Sequence, residues 1–205
     1  MEIYFFTEGD SEYNYLQEVR KVIRNNRSLR SKVKFTNPTK VNGLGKGPYS
    51  NTSIYKKIHG SLEGNIDGSS SNVGLWIDND IFVKYRINIK AIDEKLHKDF
   101  PNNKFTFYLN SMNFEDFFVL HFPEKVILWQ EICESRNHFE NPLIGEDHFK
   151  LFKSNIFEDY SKRDFTKSFK LNKTSMTNAI NQANSNDNGF DSGFISILEK
   201  IVAEI

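Results

Sequence analysis

Val73-Gly74-Leu75-Trp76-Ile77-Asp78-Asn79-Asp80 is an unbroken apolar run that ends abruptly in acid. Without polar alternation, such a run fits a strand covered on both faces, and the sudden D-x-D marks where its carboxyl end leaves the core. Residues 2–6 repeat the pattern and break at Thr7-Glu8-Gly9-Asp10-Ser11. Ser11 is placed to cap a helix whose apolar face is Tyr15, Val19, Val22 and Ile23. Residues 32–35 alternate and stop at Asn37-Pro38, which predicts a short strand. Ile54, Ile58 and Leu62 mark a second helix; Ile89, Ile92 and Leu96 mark a third, closed before Pro101. Phe105, Phe107 and Leu109 alternate as a fourth strand, followed by an aromatic helical run over residues 114–122 that Pro123 should halt.

This βαβαβαβα order predicts an α/β fold: a mainly parallel, Rossmann-like sheet of about four strands flanked by helices. From Glu124 onward the periodicity is helical only. Ile127, Ile132, Phe149, Phe152, Met176, Ala179, Ile180, Ala183, Phe194, Leu198, Ile201 and Ile205 read as helix faces packed on the sheet or on each other. Residues 67–71 read as a polar turn and residues 184–189 as an Asn-rich loop. The expected organisation is an α/β core over residues 1–122 with a helical C-terminal part, residues 123–205, packed on it as one compact unit.

Composition narrows the function classes. The 205 residues are 38% hydrophobic and include 19 Phe, enough apolar material for a real core, which excludes global disorder. One Cys cannot form an internal disulfide, and Cys133 reads as structural. No apolar run reaches the roughly 18 residues that span a bilayer, and the start shows no basic leader, so the expectation is a cytoplasmic protein with no membrane partner. Lys and Arg (27) balance Asp and Glu (27). A protein that holds nucleic acid by a broad basic excess is thereby excluded; any such binding must be local, metal-assisted or helped by a partner.

In an open α/β sheet, ligands bind beyond the carboxyl ends of the strands. Three strands here end in acids: Glu8 after the first, Asp78 and Asp80 after the third, Glu115 shortly after the fourth. With the common 2-1-3-4 order, Glu8 meets the Asp78/Asp80 pair in one crevice. Carboxylates crowded together either take up protons or share a dication, and an all-oxygen donor set points to Mg²⁺ or Mn²⁺. The matching chemistry is phosphodiester hydrolysis or phosphoryl transfer. Each acid alone has a plainer reading, since D-x-D is common in turns and Asp80 is placed to cap a helix. Their joint placement favours the site.

Several motifs together resemble a known family. Glu8-Gly9-Asp10-Ser11-Glu12 resembles the E-G-x-[S/T]-E opening of the RloB-like branch of Toprim domains, and residues 75–82 resemble that family's strand ending in D-x-D. Residues 114–122, FEDFFVLHF, are similar to its F-E-x-W-L-L-L-H-F helix, Tyr160-Ser161-Lys162 to its Y-x-K, and residues 177–183 to its A-I-x-x-A helix. The chain departs from it at Asn110-Ser111-Met112-Asn113, where the family has S-N-P-C, and at Phe117, where it has Trp. The resemblance implies a Toprim nuclease of bacterial antiphage defence, cleaving DNA or RNA beside an ABC/AAA-type ATPase partner. By the same implication Glu8 is a metal ligand or general base, Asp78 and Asp80 bind Mg²⁺, Glu115 serves a second metal or orients a water, and Lys162 stabilises the phosphate. The alternative is a non-catalytic sensor or docking subunit of such a complex, and a homo-oligomer stays open. A small-molecule phosphatase is least favoured, because the first strand ends in Glu8-Gly9 and not in D-x-D.

Other residues carry weaker signals. Gly43-Leu44-Gly45-Lys46-Gly47 is not a phosphate loop, since Pro48 follows, yet it could bring Lys46 to a phosphate. Lys162-Arg163 with Lys167 and Lys170 reads as the best basic cluster for backbone contact, against a solvated helix face. The five His show no zinc spacing, and His121 reads as a satisfied, partly buried histidine.

Overall fold

Glu2–Thr7 (EIYFFT) is apolar on both sides because it runs through the middle of a sheet: Ile3 and Phe5 face one layer of helices, Tyr4 and Phe6 the other. The computed structural model describes residues 2–66, 71–144, 146–162, 169–185 and 189–205. Its elements are β1 (Glu2–Thr7), α1 (Asp10–Asn25), α2 (Arg27–Lys32), β2 (Lys34–Phe35), β3 (Thr39–Lys40), α3 (Asn51–Glu63), β4 (Asn72–Asp78), α4 (Asp80–Lys84), α5 (Ile89–Asp99), β5 (Lys104–Asn110), α6 (Phe114–Val119), α7 (Pro123–Ser135), α8 (Glu146–Asn155), α9 (Lys173–Asn184) and α10 (Ile195–Val202). The strands pair in the order β2-β1-β4-β5, all parallel, with β3 extending the β2 edge along the second half of β1. This is a Rossmann-like α/β sheet, and β1 and β4 are central neighbours. In that register Asp78 lies opposite Asn110.

The two faces carry different cores. Leu75, Ile77 and Phe6 pack with Ile54, Ile58 and Leu62 of α3 and with Ile92 and Leu96 of α5. Trp76 turns to the other face, into an aromatic cluster with Tyr15 of α1 and Phe117 of α6. Phe194 stacks flat on Trp76, ring centroids 4.1 Å apart and 3° from parallel. That core continues without a break through Trp129, Phe152, Ala179 and Leu198, so the helices after Pro123 share the core of the sheet they cover. Gly74 is required where it stands, because a Cβ there would come within 2.7 Å of the Phe5 ring.

Several expectations need correction. Residue 32 ends a helix, α2, and the strand expected over residues 32–35 shrinks to Lys34–Phe35; the alternating pattern was shared between a helix end and an edge strand. The two-residue β3 gave no periodic signal and adds a fifth strand. The aromatic run does not continue to residue 122: α6 stops at Val119, and Pro123, lacking an N–H that a first-turn residue does not need, begins α7 instead of ending α6. Ile127, read as part of a packed face, is 69% exposed, and Ile205 is also exposed. The polar turn and the Asn-rich loop fall largely outside the described residues. Among the described residues, no helix is long and apolar enough to cross a membrane.

Phe194→Ala should lower stability by about 3–5 kcal/mol, through lost burial and the cavity left over Trp76. Ile127→Ala should stay within about 0.5 kcal/mol of wild type. Urea unfolding midpoints measure both.

Candidate active site

Glu8 follows β1 directly, and Asp78 ends β4 beside it. The Asp78 amide donates to Glu8 Oε2 at 3.3 Å, and the Glu8 amide donates to the Trp76 carbonyl at 3.2 Å, so strand pairing holds both acids at the same end of the sheet. Asp80 opens α4. It does not cap that helix as expected: Asn79 holds the N-cap position and Asp80 is the first helical residue, its Oδ1 accepting from the next amide, Ile81, at 2.5 Å, while Oδ2 accepts from Asn113 Nδ2 at 2.9 Å. Glu8, Asp78, Asp80, Asn113, Tyr49 and Lys162 line a single cavity of about 130 Å³. The expected convergence of Glu8 with the Asp78/Asp80 pair therefore exists as geometry.

Asn110 and Asn113 orient these aspartates. Asn110 Nδ2 donates to Asp78 Oδ1 at 2.7 Å, while its own Oδ1 accepts from Trp76 Nε1 at 2.9 Å and Ser192 Oγ at 2.8 Å. The loops are tied again through the Met112 carbonyl, which accepts from the Asn79 and Asp80 amides.

The acids fall into two electrostatic classes. Burial, then repulsion from Asp80 and Glu12, pushes Glu8 well above the usual carboxyl range, and burial with Glu12 and Glu8 does the same to Asp78. Burial raises Asp80 to about 6. Glu12, whose Oε2 accepts from the Gly9 amide at 3.2 Å, is raised by burial to about 7. These four lack enough positive charge.

Glu115 and Asp116, at the start of α6, are the reverse. Burial alone would raise Glu115, but Lys162 and His148 outweigh it and hold it at about 2. Glu115 is 1% exposed and stands behind Lys162, not on the cavity wall. Its Oε1 lies 3.4 Å from Lys162 Nζ and accepts from Tyr160 OH at 3.3 Å; its Oε2 lies 3.4 Å from His148 Nδ1. The expected roles of ligand to a second metal or water-orienting group thus give way to a carboxylate occupied by a cation, a phenol and an imidazole. The Lys162 ammonium, 40% exposed, is stabilised by Glu115 and Asp78 against its own partial burial. Its backbone carbonyl is fixed by Asn14 Nδ2 at 3.0 Å.

Asp116, His138 and His148 are fully buried, and their ligand atoms lie within 4.8 Å of one another, a spacing that suits a metal. Proton positions decide otherwise. The Leu143 amide donates to His138 Nδ1 at 3.1 Å, which leaves the ring proton on Nε2, facing Asp116 Oδ2 at 3.2 Å; no lone pair points at a metal. Asp116 Oδ1 already accepts from Trp129 Nε1 at 2.9 Å, and Oδ2 also accepts from the Asn113 amide at 3.1 Å. His148 presents one nitrogen to each acid, Nε2 standing 3.5 Å from Asp116 Oδ1. Burial opposes its charge, but the two acids prevail and raise it to about 9. The contacts are ion pairs, not well-formed hydrogen bonds, and they make His148 an imidazolium clamped between two carboxylates.

Lys46 lies on the exposed loop beside the cavity, where its carbonyl accepts from Lys57 Nζ, and its side chain does not line the cavity. Arg163 and Lys167, expected to bind nucleic acid with Lys162, lie outside the described residues. His121 is a satisfied buried histidine: Nδ1 meets the Ser175 carbonyl at 2.8 Å and Nε2 meets Tyr15 OH at 3.0 Å. His138, His148 and Asp116 were not singled out from the sequence as site residues; the sole cue to Asp116 was its place next to Glu115.

The chain has no significant match among models of known protein families, curated proteins or solved structures.

The sign of the His148 shift fixes a pH dependence. A histidine raised in the folded state stabilises fully below its unfolded value of about 6.5, and that contribution is lost as pH rises through about 9. Wild type should lose up to roughly 3 kcal/mol of unfolding free energy between pH 7 and 10 through this group. His148→Gln should be less stable at pH 7 and lack that component, as read by denaturant unfolding across pH.

Proposed function

We propose that the chain is a cytoplasmic nuclease that hydrolyses phosphodiester bonds in DNA or RNA with Mg²⁺ or Mn²⁺ held by Glu8, Asp78 and Asp80. The observation that carries this reading is the convergence, in one cavity, of the Glu8, Asp78 and Asp80 carboxylates with the Lys162 ammonium. The three carboxylates give that wall a cluster of hard oxygen donors with no thiol or imidazole among its lining residues, a donor set that suits a hard dication. When bound, such an ion polarises phosphoryl oxygens and supplies hydroxide near neutral pH.

The chain's own residues do the rest. Asn110 and Asn113 fix the rotamers of Asp78 and Asp80, so the oxygens facing the cavity are preorganised. Lys162 reaches the cavity as a point charge for the non-bridging oxygens of the transition state. Glu115, kept ionised by His148, holds that ammonium in place. Action with an ABC/AAA-type ATPase partner in antiphage defence rests on the motif resemblance alone.

With Mg²⁺ or Mn²⁺ and a mixed pool of DNA and tRNA, wild type should cleave, Asp78→Ala plus Asp80→Ala should not, and Lys162→Met should lose about 10²–10³ in kcat. Cleavage by the double variant at the wild-type rate overturns the assignment.

A further inference from the structure

Between Val19 and Leu62 the sequence holds eleven Lys and Arg and not one Asp or Glu, although the whole chain is neutral. This exceeds the Lys162 to Lys170 cluster in both length and charge. The fold gathers the segment about one flank, the β2 edge of the sheet: β2 and β3 form that edge, with α1 packed on one face of the sheet and α3 on the other.

At the far end of the flank is a second cavity, about 340 Å³, with Ile23, Val33 and Phe35 among its walls and four cations, Arg20, Arg24, Arg30 and Lys34, around it. Arg20 is buried, yet the acceptors bonded to its guanidinium are neutral amide oxygens, Gln17 Oε1 at 3.0 Å and Asn37 Oδ1. Burial and the like charge of Arg24, one turn on, both lower its proton affinity. Glu2 is taken up by Lys34 at 2.8 Å, and neither Arg24 nor Arg30 has a carboxylate partner among the described residues. Four positive charges around one cavity, with neutral amides as the acceptors on Arg20, form a local positive potential that attracts an anion.

We infer that the Arg20–Arg24–Arg30 cavity is a phosphate-binding pocket that grips the nucleic-acid backbone away from the scissile bond. The guanidinium fork matches a phosphate, and Lys40, Lys46 and Lys57 continue the flank to the acidic cavity, as a polyanion requires and a single small anion does not. Lys40 is itself paired with Asp10 at 2.6 Å, where α1 begins. Along α1, Arg20 and Arg24 lie about 15–20 Å from Asp10, or roughly four to six phosphates of one duplex strand. The identity of the polymer rests on the nuclease reading.

Binding measured in EDTA separates the two claims, because no cleavage is needed. Fluorescence anisotropy of labelled single-stranded and duplex oligonucleotides, titrated with the full chain between about 50 and 200 mM salt, reads affinity and salt slope. Arg24→Ala plus Arg30→Ala, both exposed side chains, should weaken binding about tenfold and flatten the log–log salt slope by about 1–2. Lys98→Ala plus Lys104→Ala, an equal loss of charge at the opposite, β5 edge of the sheet, should leave both unchanged, and Asp78→Asn plus Asp80→Asn should still bind. An unchanged slope in the arginine variant, an equal loss in the lysine control, or a wild type that binds inorganic phosphate but no oligonucleotide overturns the pocket's assignment. None of these results bears on whether the Asp78/Asp80 variant loses cleavage.

Discussion

The burial of a cluster of carboxylates at one end of the sheet is the constraint that organises this molecule. Parallel pairing of β1 with β4 brings Glu8 and Asp78 side by side, and the turns that follow add Glu12, Asp80, Glu115 and Asp116. Two of these acids are neutralised from within: His148 sits between Glu115 and Asp116, His138 and Trp129 donate to Asp116, and Lys162 meets Glu115. The others keep an unmet demand for positive charge. That division separates the structural half of the cluster from the half open to a cation.

The helices after Pro123 contribute His138, His148 and Lys162 to this balance and Trp129 and Phe152 to the core beneath it. They are a source of compensating charge as well as a cover for the sheet. Along the β2 edge the excess is of the opposite sign: among the described residues neither Arg24 nor Arg30 has a carboxylate partner. The acids gather at the carboxyl ends of β1 and β4 and the cations along the β2 edge, the arrangement that the proposed polyanionic substrate requires.

The sheet was legible because its central strands are apolar on both faces and end in acid; residues 2–6 and 73–77 left no other reading. Glu8, Asp78 and Asp80 followed from the rule that ligands gather at carboxyl strand ends. Asp116, His138 and His148 were not legible, since their partnership depends on α7 and α8 folding back over α6 and no spacing encodes it. Asn110 and Asn113 stood out as departures from a family pattern, and their hydrogen bonds to the aspartates appear once β4 and β5 are in register. Helix ends at residues 32 and 119 were misplaced because alternating or aromatic runs fit two periods equally over a few residues. The acid-free stretch from residue 19 to 62 was visible in the sequence, but the whole-chain balance of charge hid it.

The central claim is that the under-compensated acids, and not the buried histidines, are where a dication binds. Crystals soaked in Mn²⁺ and measured for anomalous scattering test it directly. The account predicts a peak among Glu8, Asp78 and Asp80. A peak between His138 and His148, with none in the acidic cavity, would contradict it.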